Sequence, residues 1–178
     1  QELRAVSCKA GMTWAEAGLS GVIFCNSVPE VHLMLSRLID LGAESYSRCF
    51  YAGMSPDLKS QAMAGLISGK VRILVSTSAL EAGIDVPQLD CVLIAGMPQS
   101  LMALRQRIGR AGRGRPGLCI LLPKLGGVSD QVMLGLDSDD KSSELVSLDY
   151  LLRSGPCEQV CFDPSLPSVL GLHMLCAA

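Results

Sequence analysis

The sequence predicts an α/β fold, a doubly wound parallel sheet with helices on both faces. Three apolar runs, Gly21 to Cys25, Cys91 to Ala95 and Gly117 to Leu122, and the β-branched run Val71 to Ser76 do not alternate apolar with polar residues, as strands buried on both faces do not. Stretches of helical length with capping signals lie between them, so strand and helix alternate along the chain. Parallel strands joined in this way require right-handed crossovers.

The first twenty residues, with Trp14 beside Ala15, Glu16 and Ala17, predict a short helix that leads into the first strand. After that strand, Val28 to Leu41 carries Val31, Leu35 and Leu38 on one helical face. Ser27 and Glu30 have capping-box spacing, Pro29 fits the first turn and Gly42 is the stop. Ser45 to Tyr51 reads as the second strand. The next helix opens at Ser55-Pro56-Asp57 and stops at Gly69, and Val71 to Ser76 is the third strand. A short helical segment, Thr77 to Ala82, then precedes Gly83-Ile84-Asp85-Val86-Pro87. Cys91 to Ala95, a helix over Pro98 to Arg110 and Gly117 to Leu122 complete the sheet domain, residues 21 to 123. Beyond Pro123 the periodicity fades through Gly126-Gly127 and the acidic run Asp137 to Asp140. Asp149 to Arg153 and Val169 to Ala178 read as helices, a C-terminal helical appendage (124 to 178) toward a following domain.

A chain of 178 residues supports one well-buried core. It is 49% hydrophobic with a formal net charge of -2, so nucleic-acid binding needs a local basic patch rather than a general field. The eight cysteines sit singly in apolar runs and read as small core residues of a reducing compartment. No metal is expected, because Cys157 and Cys161 lack a second ligand pair. The chain opens on Gln1, without a basic-then-apolar leader or a membrane-spanning apolar run. It reads as a piece of a cytoplasmic protein, or of a nuclear one in a eukaryote.

The patch is at Arg105 to Arg115, which holds five of the fifteen Lys and Arg residues. Arginine binds phosphate oxygens in pairs and stays charged, and Gly109 and Gly112 allow close approach between the side chains. Arg107, Arg110 and Arg113 recur every third residue and, on a continuing helix, project to a similar side. Ligands of an open parallel sheet collect at the carboxyl ends of its strands. Asn26-Ser27, Ala52-Gly53-Met54, Thr77-Ser78 and the arginine cluster are expected to line that edge together. A phosphate-cradling loop is missing: Gly65 through Lys70-Val71 has the wrong spacing, and no strand ends in paired acids for magnesium. The chain contributes arginines but is not expected to hydrolyse a nucleotide alone.

Together these segments resemble the second RecA-like domain of superfamily 2 helicases. Val22 to Ser27 looks like motif IV, Tyr51 to Ser55 like motif IVa, Ser76 to Val86 like motif V, and Gln106 to Arg113 like motif VI, in family order over residues 21 to 123. Ala79-Leu80-Glu81 before Ala82-Gly83-Ile84-Asp85, Leu93 to Pro98, and the tail from Phe162 are similar to RecQ-related DNA-repair helicases, which carry a cysteine-rich zinc domain further along.

The resemblance implies that Arg110 and Arg113 face the γ-phosphate of ATP, one as arginine finger, with Gln106 in the same motif. Gly83 and Asp85 would sit beside the ribose. Asn26, Ser27, Gly53, Thr77 and Ser78 would track the backbone of one strand, DNA more than RNA. ATP and Mg2+ would be held mainly by the first RecA-like domain of the same protein, and no membrane is involved. Ala82 and Arg107 depart from the family pattern, and Lys59-Ser60-Gln61 is poor in arginine. Two other readings remain: a non-catalytic nucleic-acid-binding or regulatory module with a degenerate RecA-like fold, and a free-standing nucleotide-binding enzyme. His32 and His173 receive no role.

Overall fold

The computed structural model of the chain describes residues 2–80, 89–112, 116–124, 127 and 130. Among them, five strands form one fully parallel sheet: β1 (Gly21–Phe24), β2 (Ser47–Phe50), β3 (Ile73–Ser76), β4 (Cys91–Ala95) and β5 (Leu118–Leu122). Their order is β2-β3-β1-β4-β5. The three central strands are buried at every residue, which is why their sequences are unbroken apolar runs. Gly21 pairs level with both Ile73 and Cys91. A Cβ there would lie 2.6 Å from the Cys91 carbonyl oxygen, so only glycine lets these strands start so close together.

The pleat sends alternate residues to opposite faces. Val22, Phe24, Leu74, Val92 and Ile94 pack with α3 (Pro56–Ile67) and α4 (Leu101–Ile108). Ile23, Ile73, Val75 and Leu93 pack with α1 (Glu2–Glu16) and α2 (Val28–Asp40) on the other face. The sheet is doubly wound, as expected. The crossover from β1 to β2 moves one way through α2. Those from β2 to β3 and from β4 to β5 move the other way on the opposite face, which keeps a single hand.

Several boundaries differ from the sequence reading, each for a local reason. α1 is 15 residues long rather than short, and it forms half of one helical layer. Its buried face is Ser7, Cys8, Gly11 and Trp14, the first three small enough to let it lie close to the sheet. The Trp14 indole N–H donates to the Arg72 carbonyl (3.3 Å), and Cys8 packs on the Met34 sulfur (3.4 Å). α4 starts at Leu101 because Ser100, not Pro98, caps it, and it ends at Ile108 with Gly109 as its C-cap. Within the short helix expected over Thr77 to Ala82, the described residues form one 3-10 turn, Ser78–Leu80, and residues 81 and 82 lie outside them. Gly42 and Gly69 terminate α2 and α3 with φ of 88° and 72°, where a side chain would be strained. The expected helices Asp149 to Arg153 and Val169 to Ala178, and with them the appendage, lie outside the described residues. Among the described residues, no helix is long and apolar enough to cross a membrane.

Candidate functional site

Because all five strands run parallel, their exits share one edge, and α2, α3 and α4 begin there. Ser27, Ser55 and Ser100 cap these helices by accepting the N–H groups of Glu30 (3.4 Å), Leu58 (3.4 Å) and Ala103 (3.0 Å). Three helix N-termini thus turn their positive dipole ends toward this edge, a setting that favours anions. Ser27, Gly53 and Ser78 are exposed and Thr77 is half-buried, so the strand-side residues named from sequence do come together. Lys59, on the first turn of α3 and within the segment noted as poor in arginine, donates from Nζ to the Ala52 carbonyl (2.6 Å) and adds a cation near this edge. His32, given no role from sequence, is exposed and meets Tyr51 edge-on, with ring centroids 5.2 Å apart, beside the Gly53 turn.

Asn26 behaves differently from its sequence expectation. Its carboxamide turns into the protein: Oδ1 accepts from Arg107 Nη1 (3.0 Å), and Nδ2 donates to the Met97 carbonyl (2.8 Å). Its backbone N–H donates to Glu30 Oε2 (3.2 Å), so the capping-box glutamate reaches one residue further back than its spacing predicts. Asn26 is first a tie between the exits of β1 and β4, with one amide hydrogen left over.

The continuous helix that the arginine spacing called for is not formed, and Arg113 lies outside the described residues. α4 ends before Arg110, so the helical repeat that would align Arg107, Arg110 and Arg113 is broken. Arg107 is 4% exposed, bonded to Asn26 and set over the Phe24 ring at 5.3 Å from its centroid. Arg110 is half-buried and Gln106 exposed. Ala111 pairs with Leu89, and the Gly112 N–H donates to the Leu89 carbonyl (2.9 Å), two residues ahead of β4. The Arg110 segment therefore lies at the amino edge of the sheet, about 20 Å from the carboxyl edge over the six residue steps from Leu89 to Ala95 at about 3.3 Å each. It does not line the edge with Asn26, Gly53 and Thr77. At this amino edge the backbone is crowded, since a Cβ on Gly117 would lie 2.6 Å from the Gly112 nitrogen. Gly83, Asp85 and Arg113 lie outside the described residues.

A groove of about 540 Å³ opens on the α1 side, lined mainly by Leu3, Val6, Met34, Ala95 and Leu122, with Cys25 at its wall. Burial, helped by Glu30, pushes the Cys25 thiol up to about 12, so it is no nucleophile at neutral pH. Among the described residues, no cluster of His, Cys, Asp or Glu has the form of a metal site.

Residues 5–115 match the family model of the helicase conserved C-terminal domain, which is more than half of the chain. The chain belongs to that family, and its sheet is the RecA-like fold of such domains. A putative ATP-dependent DNA helicase Q1 of Caenorhabditis elegans is 35% identical over 116 residues, covering 65% of this chain and 18% of the relative. The ATP-dependent RNA helicase DHH1 of Saccharomyces cerevisiae S288c is 38% identical over 104 residues, 57% of this chain and 20% of the relative. A solved structure of Mycobacterium smegmatis helicase Lhr bound to ssDNA and AMP-PNP matches 98% of this chain with a TM-score of 0.74 at 26% identity. The DUF1998 helicase MrfA bound to DNA and AMPPNP shares the fold, with a TM-score of 0.78 over 99% of this chain at 24% identity. The chain spans 22% and 24% of those two proteins.

Proposed function

We propose that this chain is the second motor domain of an ATP-driven helicase or translocase, and that it completes a nucleotide pocket begun by a first RecA-like domain. The observation that carries the reading is a helicase C-terminal domain whose arginine segment and strand-exit loops occupy opposite edges of one rigid sheet. A motor needs such separation, because one surface must sense nucleotide while another grips the strand. Arg110 and Arg113 supply the guanidinium groups at the pocket, with Gln106 beside them, and Gly83 and Asp85 lie along the ribose. The described residues fit ATP only as half a pocket: a half-buried arginine beside a tight glycine corner, with no phosphate loop and no acid cluster for Mg2+. When bound, ATP with Mg2+ supplies the phosphate charge that favours the closed arrangement of the two domains.

At the carboxyl edge, Ser27, Gly53, Thr77 and Ser78 hold the phosphate backbone of one strand, with Asn26 fixing the loop that carries Ser27. Such contacts leave the bases unread. DNA is the favoured strand, since helicase Q1, Lhr and MrfA are named or solved with DNA, although DHH1 is an RNA helicase. A RecQ-related repair role, a zinc domain further along the protein and a cytoplasmic or nuclear location belong to the same proposal.

The test is ATP turnover by the whole protein with and without single-stranded DNA or RNA. The motor reading expects strand-stimulated turnover, and none from the isolated chain. Strand binding indifferent to ATP, without turnover, would instead support the regulatory module.

A further inference from the structure

Asp130 lies beyond the residues matched by the family model and has no role in the reading above. It is 4% exposed. Its Oδ1 accepts two backbone N–H groups, from Met97 (2.8 Å) just past β4 and from Lys124 (2.7 Å) just past β5. Those two residues connect onward. The Met97 carbonyl accepts from Asn26 Nδ2, and Lys124 Nζ pairs with Glu30 Oε1 (3.2 Å), whose other oxygen accepts the Asn26 N–H. Asn26, Met97, Asp130, Lys124 and Glu30 therefore close a ring of polar contacts across the exits of β1, β4 and β5. Within this ring Asp130 and Lys124 come from past the last strand, and the Asp130 bond to the Met97 N–H is the one fully shielded from water. The exposed Lys124–Glu30 pair is the weak side, screened by solvent.

We propose that Asp130 is a positioning residue for the strand-gripping edge. Its carboxylate fixes the Met97 carbonyl, which in turn holds Asn26 and sets the loop presenting Ser27. The inference rests on the motor reading, since it assigns the loop its strand.

The experiment uses the whole protein and compares Asp130→Ala, Asp130→Asn and Asp130→Glu. Asp130→Ala removes two hydrogen bonds to a charged acceptor, and strand affinity is expected to fall about tenfold or more. ATP turnover without strand and KM for ATP are expected to stay within about twofold, because the Arg110 segment lies at the other edge. Asp130→Asn keeps an oxygen that accepts both N–H groups and is expected to recover most of the affinity. Asp130→Glu moves the carboxylate by one methylene and is expected to behave like Asp130→Ala, which keeps the test alive should the alanine variant not fold. Unchanged strand affinity in Asp130→Ala and Asp130→Glu would overturn the proposal, as would a parallel loss of affinity and strand-free turnover. A wild-type protein that turns over ATP without responding to any strand would refute the motor reading itself, an outcome distinct from both.

Discussion

Replacing Arg107 by methionine removes a guanidinium that is 4% exposed, hydrogen-bonded to Asn26 Oδ1 at 3.0 Å and 5.3 Å from the centre of the Phe24 ring. A hydrogen bond from a charged donor contributes about 1.5–3 kcal/mol and a desolvated cation over a ring about 0.5–2 kcal/mol. Methionine refills most of the stem, and relief from burying a charge offsets part of the loss. The net destabilisation is about 2 kcal/mol, or about 4–8 °C in thermal midpoint for a chain of this size. Circular dichroism melting of the 178-residue chain reads it. Asn26→Ala cuts the same bond from the other end, so the double variant should melt higher than the sum of the single losses implies, by about 1 kcal/mol. A midpoint for Arg107→Met within about 1 °C of the parent, or losses that simply add, would refute the tie between α4 and the exit of β1.

Two further outcomes follow from the packing. Gly21→Ala drives a methyl group against the Cys91 carbonyl oxygen, 2.6 Å away on a backbone that cannot yield, and should lower stability by about 1–3 kcal/mol in urea unfolding. A loss below about 0.5 kcal/mol would mean that the strands separate easily. Cys25 keeps its proton in the folded chain until about pH 12, whereas the unfolded chain releases it near its ordinary value of 9.0. Its contribution to stability is complete below pH 9.0 and is lost as pH rises toward 12. Cys25→Ala should flatten the alkaline fall of the melting midpoint over that window, and an unchanged profile would contradict the burial of the thiol.

The central strands were legible because burial on both faces leaves an unbroken apolar run. The caps were legible because Ser27 and Ser55 carry their signal within four residues. α1 was underread because its inner face consists of Ser7, Cys8, Gly11 and Trp14, which lack the leucine stripe that marks an amphipathic helix. At the site, local order predicted the company of Ser27, Gly53 and Thr77, since a parallel sheet brings strand exits together. It could not predict Arg107 or Asp130. Arginine and aspartate read as surface residues, and their burial depends on Asn26 and Met97, 81 and 33 residues away in sequence. The every-third arginine spacing misled for a related reason, since Gly109 ends α4 and carries Arg110 to the amino edge.

ATP turnover by the whole protein carrying Arg110→Ala, measured beside its strand affinity, tests the central claim most directly. If this arginine completes a pocket opposite the strand-gripping edge, turnover should fall by about 10³ to 10⁵ while strand affinity changes by less than about threefold. Unchanged turnover, or turnover and affinity falling together, would contradict it.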